Sequence, residues 1–118
     1  MFSSEKLKQL TLQVTRIARE AGDFQLRELK NFEISNIEQK GRSNDLVSYV
    51  DKETEKLLIE SLSKLVPDAG FETEEGTIEQ ATTGLRWIID PLDGTTNFLH
   101  KLPLFSCSIA LVQNETIL

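Results

Sequence analysis

The sequence predicts a layered α/β chain of α+β type, with two helices first and strands after them. Three patterns carry that expectation. Apolar residues at 7, 10, 14, 17, 21 and 24 recur at the spacing of one helical face. A second apolar set falls at 57, 58, 62, 65 and 66. From Leu104 to Val112 the period changes to two, with Phe105, Cys107, Ile109 and Leu111 alternating with Ser106, Ser108 and Ala110.

Taken in order, the first helix is expected to start behind a cap at Ser3 or Ser4, with Glu5 in its first turn, and to end near Asn31. Gly22 inside it costs about 1 kcal/mol against alanine unless another element packs closely there. Residues 39–45 are polar and read as a flexible loop, and Leu46–Val50 as a short extended piece. Asp51 is placed to cap the second helix, which Pro67-Asp-Ala-Gly70 stops. Leu85-Arg-Trp-Ile-Ile89 reads as a mostly buried strand running into Asp90-Pro91, where the proline bends the chain. Gln113–Thr116 looks like a hairpin turn and Ile117-Leu118 like the start of a return strand, so the chain reads as one cut short. Its open strand edges predict self-association of this segment in isolation.

Composition narrows the functional classes. One unit of 118 residues with 39% hydrophobic content is long enough for a core of its own. The longest apolar run, Ile109–Val112, is far too short to span a membrane, and the start lacks the basic-then-apolar pattern of a secretory signal. A single cysteine excludes an intrachain disulfide and points to a reducing cytoplasm. Nine acids against three lysines between Asp51 and Gln80 account for the net charge of -6. No basic stripe is present, so nucleic acid is not the expected partner. Such a block is either a solvated face or a cation site.

The chemistry concentrates in Trp87-Ile-Ile-Asp-Pro-Leu-Asp-Gly-Thr-Thr-Asn-Phe98. A buried strand delivers Asp90 to its end, and Asp93 follows three residues on. Two carboxylates so close repel each other unless a cation lies between them. Hard divalent ions such as Mg2+ take oxygen ligands, and the Leu92 carbonyl offers one more. Gly94 lets the amides of Gly94, Thr95 and Thr96 turn outward together as an anion nest. The competing reading of the Asp-Gly pair is a plain tight turn between strands.

Asp90-Pro-Leu-Asp-Gly-Thr-Thr-Asn-Phe98 resembles the signature of the inositol monophosphatase family of metal-dependent phosphatases. Three further stretches resemble that family in the same order. Phe71-Glu-Thr-Glu-Glu-Gly76 is similar to its paired-glutamate motif. Lys40 with Asp45-Leu-Val-Ser-Tyr-Val-Asp51 is similar to its mobile loop and second helix, and Ala18-Arg-Glu-Ala-Gly22 to its first helix. The resemblance implies two N-terminal helices packed on a largely antiparallel sheet. It also implies a homodimer, a site holding two or three Mg2+ ions that Mn2+ could replace, and inhibition by lithium.

What the resemblance implies for single residues is specific. Glu74 would bind the first metal and a further, weaker one. Asp90 would bridge the two principal metals, the Leu92 carbonyl would bind the first, and Asp93 would bind the second and lie near the substrate's hydroxyls. Gly94 and Thr95 would offer amides to the phosphate. The Thr95 hydroxyl, with Glu74, would orient the attacking water, and Lys40 would lie on the loop that closes over the metals. Phosphoryl transfer is mainly positioning and charge neutralisation, so the absence of a convincing nucleophile in the chain counts for nothing.

Two departures from the pattern stand out. Thr73 occupies a position where the family often has glycine, and the stretch from there to Trp87 is short. More seriously, the family's second half, with a Trp-Asp motif completing the second metal site, has no counterpart here, since Trp87 is followed by Ile88. Residues 1–118 are therefore expected to form the N-terminal, metal-binding part of such a phosphatase.

The remaining candidates have bland readings. Cys107 falls on an apolar strand face, Trp87 belongs to the core, and His100 has no partner ligand near it in sequence. Asp45 and Asp51 read as loop and cap residues. Alternation puts Glu72 and Glu74 on one face and Glu75 on the other, with Glu72 and Glu75 solvated. The expected activity is Mg2+-dependent hydrolysis of inositol monophosphate or a related sugar phosphate. Two alternatives remain: the same site acting on fructose 1,6-bisphosphate or a 3'-phosphorylated nucleotide, and a non-catalytic interaction module.

Overall fold

A computed structural model describes residues 2–35, 43–93 and 106–118, with backbone alone at 32–35, 43–48 and 93. Helix α1 runs Ser4–Ser35. Ser3 caps it, its Oγ accepting the Lys6 amide at 3.1 Å. The helix passes the expected stop at Asn31 because no glycine or proline interrupts residues 23–35. Among the described residues, no atom outside the helix's own backbone lies within 4 Å of a side chain placed at Gly22, so none of them packs closely there.

The buried stripe of α1 follows the predicted spacing through Leu10, Ile17 and Ala21, then continues by fours to Gln25 and Leu29. The polar Gln25 takes the fully buried position, and Phe24, expected there, is only half-buried.

Helix α2 runs Ser43–Leu65, which corrects three expectations. Residues 43–45 are helical rather than loop, Leu46–Val50 is helical rather than extended, and Asp51 sits well inside the helix rather than capping it. The reason is burial. Val50, Thr54, Leu58 and Leu62 recur every fourth residue and are all fully buried, and that continuous stripe outweighs the extended preference of the valines. The helix stops before Pro67 as anticipated.

Strands β1 (Gly70–Thr73), β2 (Leu85–Asp93), β3 (Ser106–Gln113) and β4 (Thr116–Ile117) form one sheet in that order. β1 pairs parallel with β2, and the other two pairings are antiparallel, so the sheet is mixed and largely antiparallel. Gly70 is required by close approach, since a side chain there would lie 2.7 Å from Ala81 Cβ. Arg86, 8% exposed, ties the β3–β4 turn to β2 by donating to the Asn114 carbonyl at 2.7 Å.

Both helices cover the sheet, α1 over β3 and α2 over β2. The core joins Leu10, Ile17 and Ala21 to Leu58, Leu62, Phe71, Trp87, Ile89 and Leu111, with Cys107 and Ile109 packed against it. Trp87 and Cys107 are thus packing residues, and burial pushes the Cys107 thiol above its ordinary pKa. No helix among the described residues is long and apolar enough to cross a membrane.

Candidate active site

The end of β2 carries the first candidate carboxylate. Asp90 pairs with Ser108, and position 93 pairs with Ser106, so β2 spends three residues where β3 spends two. This is a β-bulge, and the strand continues through Pro91 instead of bending away as expected. Ser108 and Ser106 are in phase on β3. The bulge therefore leaves positions 90 and 93 in phase on β2, which a regular strand would not do at that spacing. Leu92 lies inside the bulge with its side chain buried, which anchors the backbone between the two aspartate positions.

The second carboxylate-bearing segment is the bend after β1. β1 ends at Thr73, so strand alternation does not extend to the glutamate pair. Glu74 is exposed there and Glu75 is half-buried. The bend is held from α2 by Glu55, which is fully buried. One oxygen of Glu55 accepts the Glu75 amide at 2.9 Å, and the other accepts the Thr77 amide at 2.9 Å and the Thr77 hydroxyl. A buried carboxylate gripping backbone amides in this way fixes where the paired glutamates leave the strand. Gln80 ties the far side of the bend, accepting the Thr73 amide at 2.6 Å and donating to the Thr73 hydroxyl at 2.8 Å.

Asp51 joins these two segments. Burial first, then the charge of Glu75 and a hydrogen bond shared with it, then the charges of Asp90 and Glu55, push the Asp51 carboxyl up to about 7. Two carboxyl groups share a hydrogen bond only when one of them holds a proton. Among the described residues, Asp51 Oδ1 is buried without a hydrogen-bond partner. Such an oxygen is costly unless a proton or cation reaches it.

Hard oxygen donors of one sign, one of them orphaned, fit a divalent cation better than any other group. Among the described residues, however, no three His, Cys, Asp or Glu side chains converge closely enough to hold a metal ion.

Several expectations take corrected places. Asp51 faces Glu75 and Asp90 and is no cap. Glu75 is not a solvated bystander, and Glu72 is paired with Arg86, its Oε1 accepting Nε at 3.3 Å. The backbone of Asp45 lies in α2. Lys40, Gly94, Thr95 and His100 lie outside the described residues, as does the side chain of Asp93.

Sequence reasoning missed Glu55 and Gln25. Gln25 lies on the four-residue stripe of α1 and Glu55 follows Thr54 of the α2 stripe, and a count of apolar residues passes over both. Gln25, 1% exposed, donates from Nε2 to the Pro91 carbonyl at 2.6 Å and to the Thr54 hydroxyl at 3.3 Å.

Known proteins resemble the chain in sequence and in fold. Residues 6–118 match the model of the inositol monophosphatase family. A protein of Aquifex aeolicus named fructose-1,6-bisphosphatase/inositol-1-monophosphatase is 43% identical over 94% of this chain and 42% of its own length. The Nus factor SuhB of Escherichia coli K12 is 42% identical over 81% of this chain and 36% of its own. The crystal structure of the extragenic suppressor protein suhB from Bartonella henselae superposes with a TM-score of 0.71 at 30% identity, covering 93% of this chain and 43% of that one. The chain thus spans less than half the length of these relatives.

Proposed function

This chain belongs to the inositol monophosphatase family, and on that premise we propose that it carries the metal-binding part of a Mg2+-dependent phosphomonoesterase acting on inositol monophosphate or a related sugar phosphate. The observation that supports this most is the orphaned Asp51 oxygen, set among Glu75, Asp90 and Glu55 beside the bulged end of β2.

Glu74, Asp90, the Leu92 carbonyl and Asp93 are the oxygen donors for the ions. Bound divalent ions would neutralise the phosphate and make water a stronger nucleophile. The residues of the chain do the rest. Gly94 and Thr95 offer backbone amides to the phosphate, which a nest of this kind binds without a side-chain charge. The Thr95 hydroxyl and Glu74 would orient the attacking water, Asp93 would lie near the substrate's hydroxyls, and Lys40 would lie on the loop that covers the site. The two carboxylate-bearing segments come from different strands, so a group held between them is positioned by the whole sheet.

The double name of the Aquifex aeolicus relative keeps fructose 1,6-bisphosphate as a second substrate. The Nus factor name of the Escherichia coli relative keeps an interaction role beside catalysis. The acidic block between Asp51 and Gln80 argues that any such role runs through protein rather than the phosphates of nucleic acid.

The test is phosphate release from inositol 1-phosphate and from fructose 1,6-bisphosphate, with and without Mg2+, by the protein and by Asp90→Asn. Release that needs Mg2+ and is lost in the variant supports the reading. Release indifferent to either would overturn it, and Mg2+ binding without release would favour the interaction module.

A further inference from the structure

We propose that Gln25 is a positioning residue for the metal site: from α1 it holds the Pro91 carbonyl and so sets how Asp90, the Leu92 carbonyl and Asp93 leave the end of β2. The inference rests on the metal-binding reading above and deepens it.

The chemistry of the contact is unambiguous. A proline carbonyl accepts and cannot donate, so the Gln25 group that meets it at 2.6 Å must be the NH2 end of the carboxamide. The same NH2 donates to Thr54 Oγ1 at 3.3 Å, which fixes its direction from α2. One buried side chain thus links both helices to one carbonyl of the bulge. Gln25 is 1% exposed and Thr54 is fully buried, so water does not compete for these bonds.

The place of the contact matters as much. Pro91 is the residue between Asp90 and Leu92, inside the register shift that brings positions 90 and 93 into phase. A bulge has lost regular ladder bonds and needs other partners to stay in one conformation. Proline lacks an amide hydrogen, which leaves its carbonyl as the only backbone handle at that residue. A leucine at position 25 would fill the same stripe and bury more apolar area. A glutamine there makes sense as a holder of the carbonyl, in the way that groups behind metal ligands orient them.

The experiment compares Gln25→Met, which keeps length and removes the donor, with Ile17→Val as a packing control on the same face of α1. Thr54→Val removes the weaker partner and leaves the Pro91 bond. Two readouts are taken on the full chain: hydrogen–deuterium exchange of the amides at 90, 92 and 93, and the Mn2+ dissociation constant. Gln25→Met should raise the dissociation constant by about tenfold, the low end of the range for residues behind metal ligands, and should speed exchange at those amides beyond either control. Ile17→Val and Thr54→Val should stay within about twofold of the parent, the bond to Pro91 being the shorter one. Unchanged exchange in Gln25→Met, or an equal effect in either control, would overturn the proposal. If the parent chain itself binds no Mn2+, the metal reading fails, and the exchange data still decide whether Gln25 holds the bulge.

Discussion

Each helix reaches across to one of the two carboxylate-bearing segments, and they hold on by opposite chemistry. From α2, the Glu55 carboxylate accepts hydrogen bonds from the Glu75 and Thr77 amides and the Thr77 hydroxyl. From α1, the neutral Gln25 carboxamide donates to the Pro91 carbonyl. The first grip is charged and has three partners. The second is uncharged and rests mainly on one short bond. Hydrogen bonds to charged groups are worth about twice those between neutral groups. The bend after β1 should therefore be the more costly of the two to release, and the bulge of β2 the more easily tuned.

The largest effect expected from this contrast is at Glu55. Glu55→Ala leaves the Glu75 and Thr77 amides without their acceptor and opens space at a fully buried position. It should cost about 3 kcal/mol, from several bonds to a charged group that are only partly replaced by water. Urea unfolding of parent and variant measures this. A loss below about 1 kcal/mol, the value of one ordinary hydrogen bond, would erase the difference between the two grips.

The contrast also explains which parts of the site could be read in the sequence. The helical stripe of α1, the period-two strand β3 and the turn after it follow from apolar spacing alone. The start of α2 did not, because Val47 and Val50 favour extended chain and an aspartate before an apolar run resembles a cap. Stepping back by fours from Leu62 and Leu58 lands on Thr54 and Val50, which would have carried the helix through Asp51. The same step forward from Ile17 and Ala21 lands on Gln25 and Leu29. A polar residue on a buried stripe was the missing signal for Gln25, while Glu55 lies one residue beyond the α2 stripe and is not reached by that step. At the site, the Asp90-Pro-Leu-Asp sequence marked the place, but its bulge depends on pairing with Ser106 and Ser108, which lie far along the chain. Glu75 was misplaced because alternation was carried past Thr73, where the strand ends.

A smaller effect separates the parts of the Glu55 grip. Thr77→Val removes the hydroxyl donor and keeps the Thr77 amide, so the bend stays attached by two backbone bonds. The expected loss is about 1.5 kcal/mol, the lower end for a hydrogen bond to a charged group. Urea unfolding checks it. No measurable change would mean that the amides alone carry the grip and that the charge of Glu55 matters less than its shape.

The effect that joins the two regions is the pH response of Asp51. Its folded pKa of about 7 stands above the ordinary 3.8, because burial, Glu75, Asp90 and Glu55 all disfavour its charge. A pKa raised by folding stabilises fully below the unfolded value and loses that stabilisation as pH rises through the folded value. Without divalent cations, the chain should therefore weaken between about pH 4 and pH 7 on account of this group. Asp51→Asn removes the response, so the melting temperature of the variant relative to the parent should climb across that window and level off above it. A flat difference from pH 4 to pH 8 would show that Asp51 titrates as an exposed carboxylate. At pH 8, adding Mg2+ should raise the melting temperature of the parent more than that of Asp51→Asn, because only the parent offers the ion a charged oxygen there. Equal responses would place the ion elsewhere and leave Asp51 as an unrelieved cost where the two segments meet.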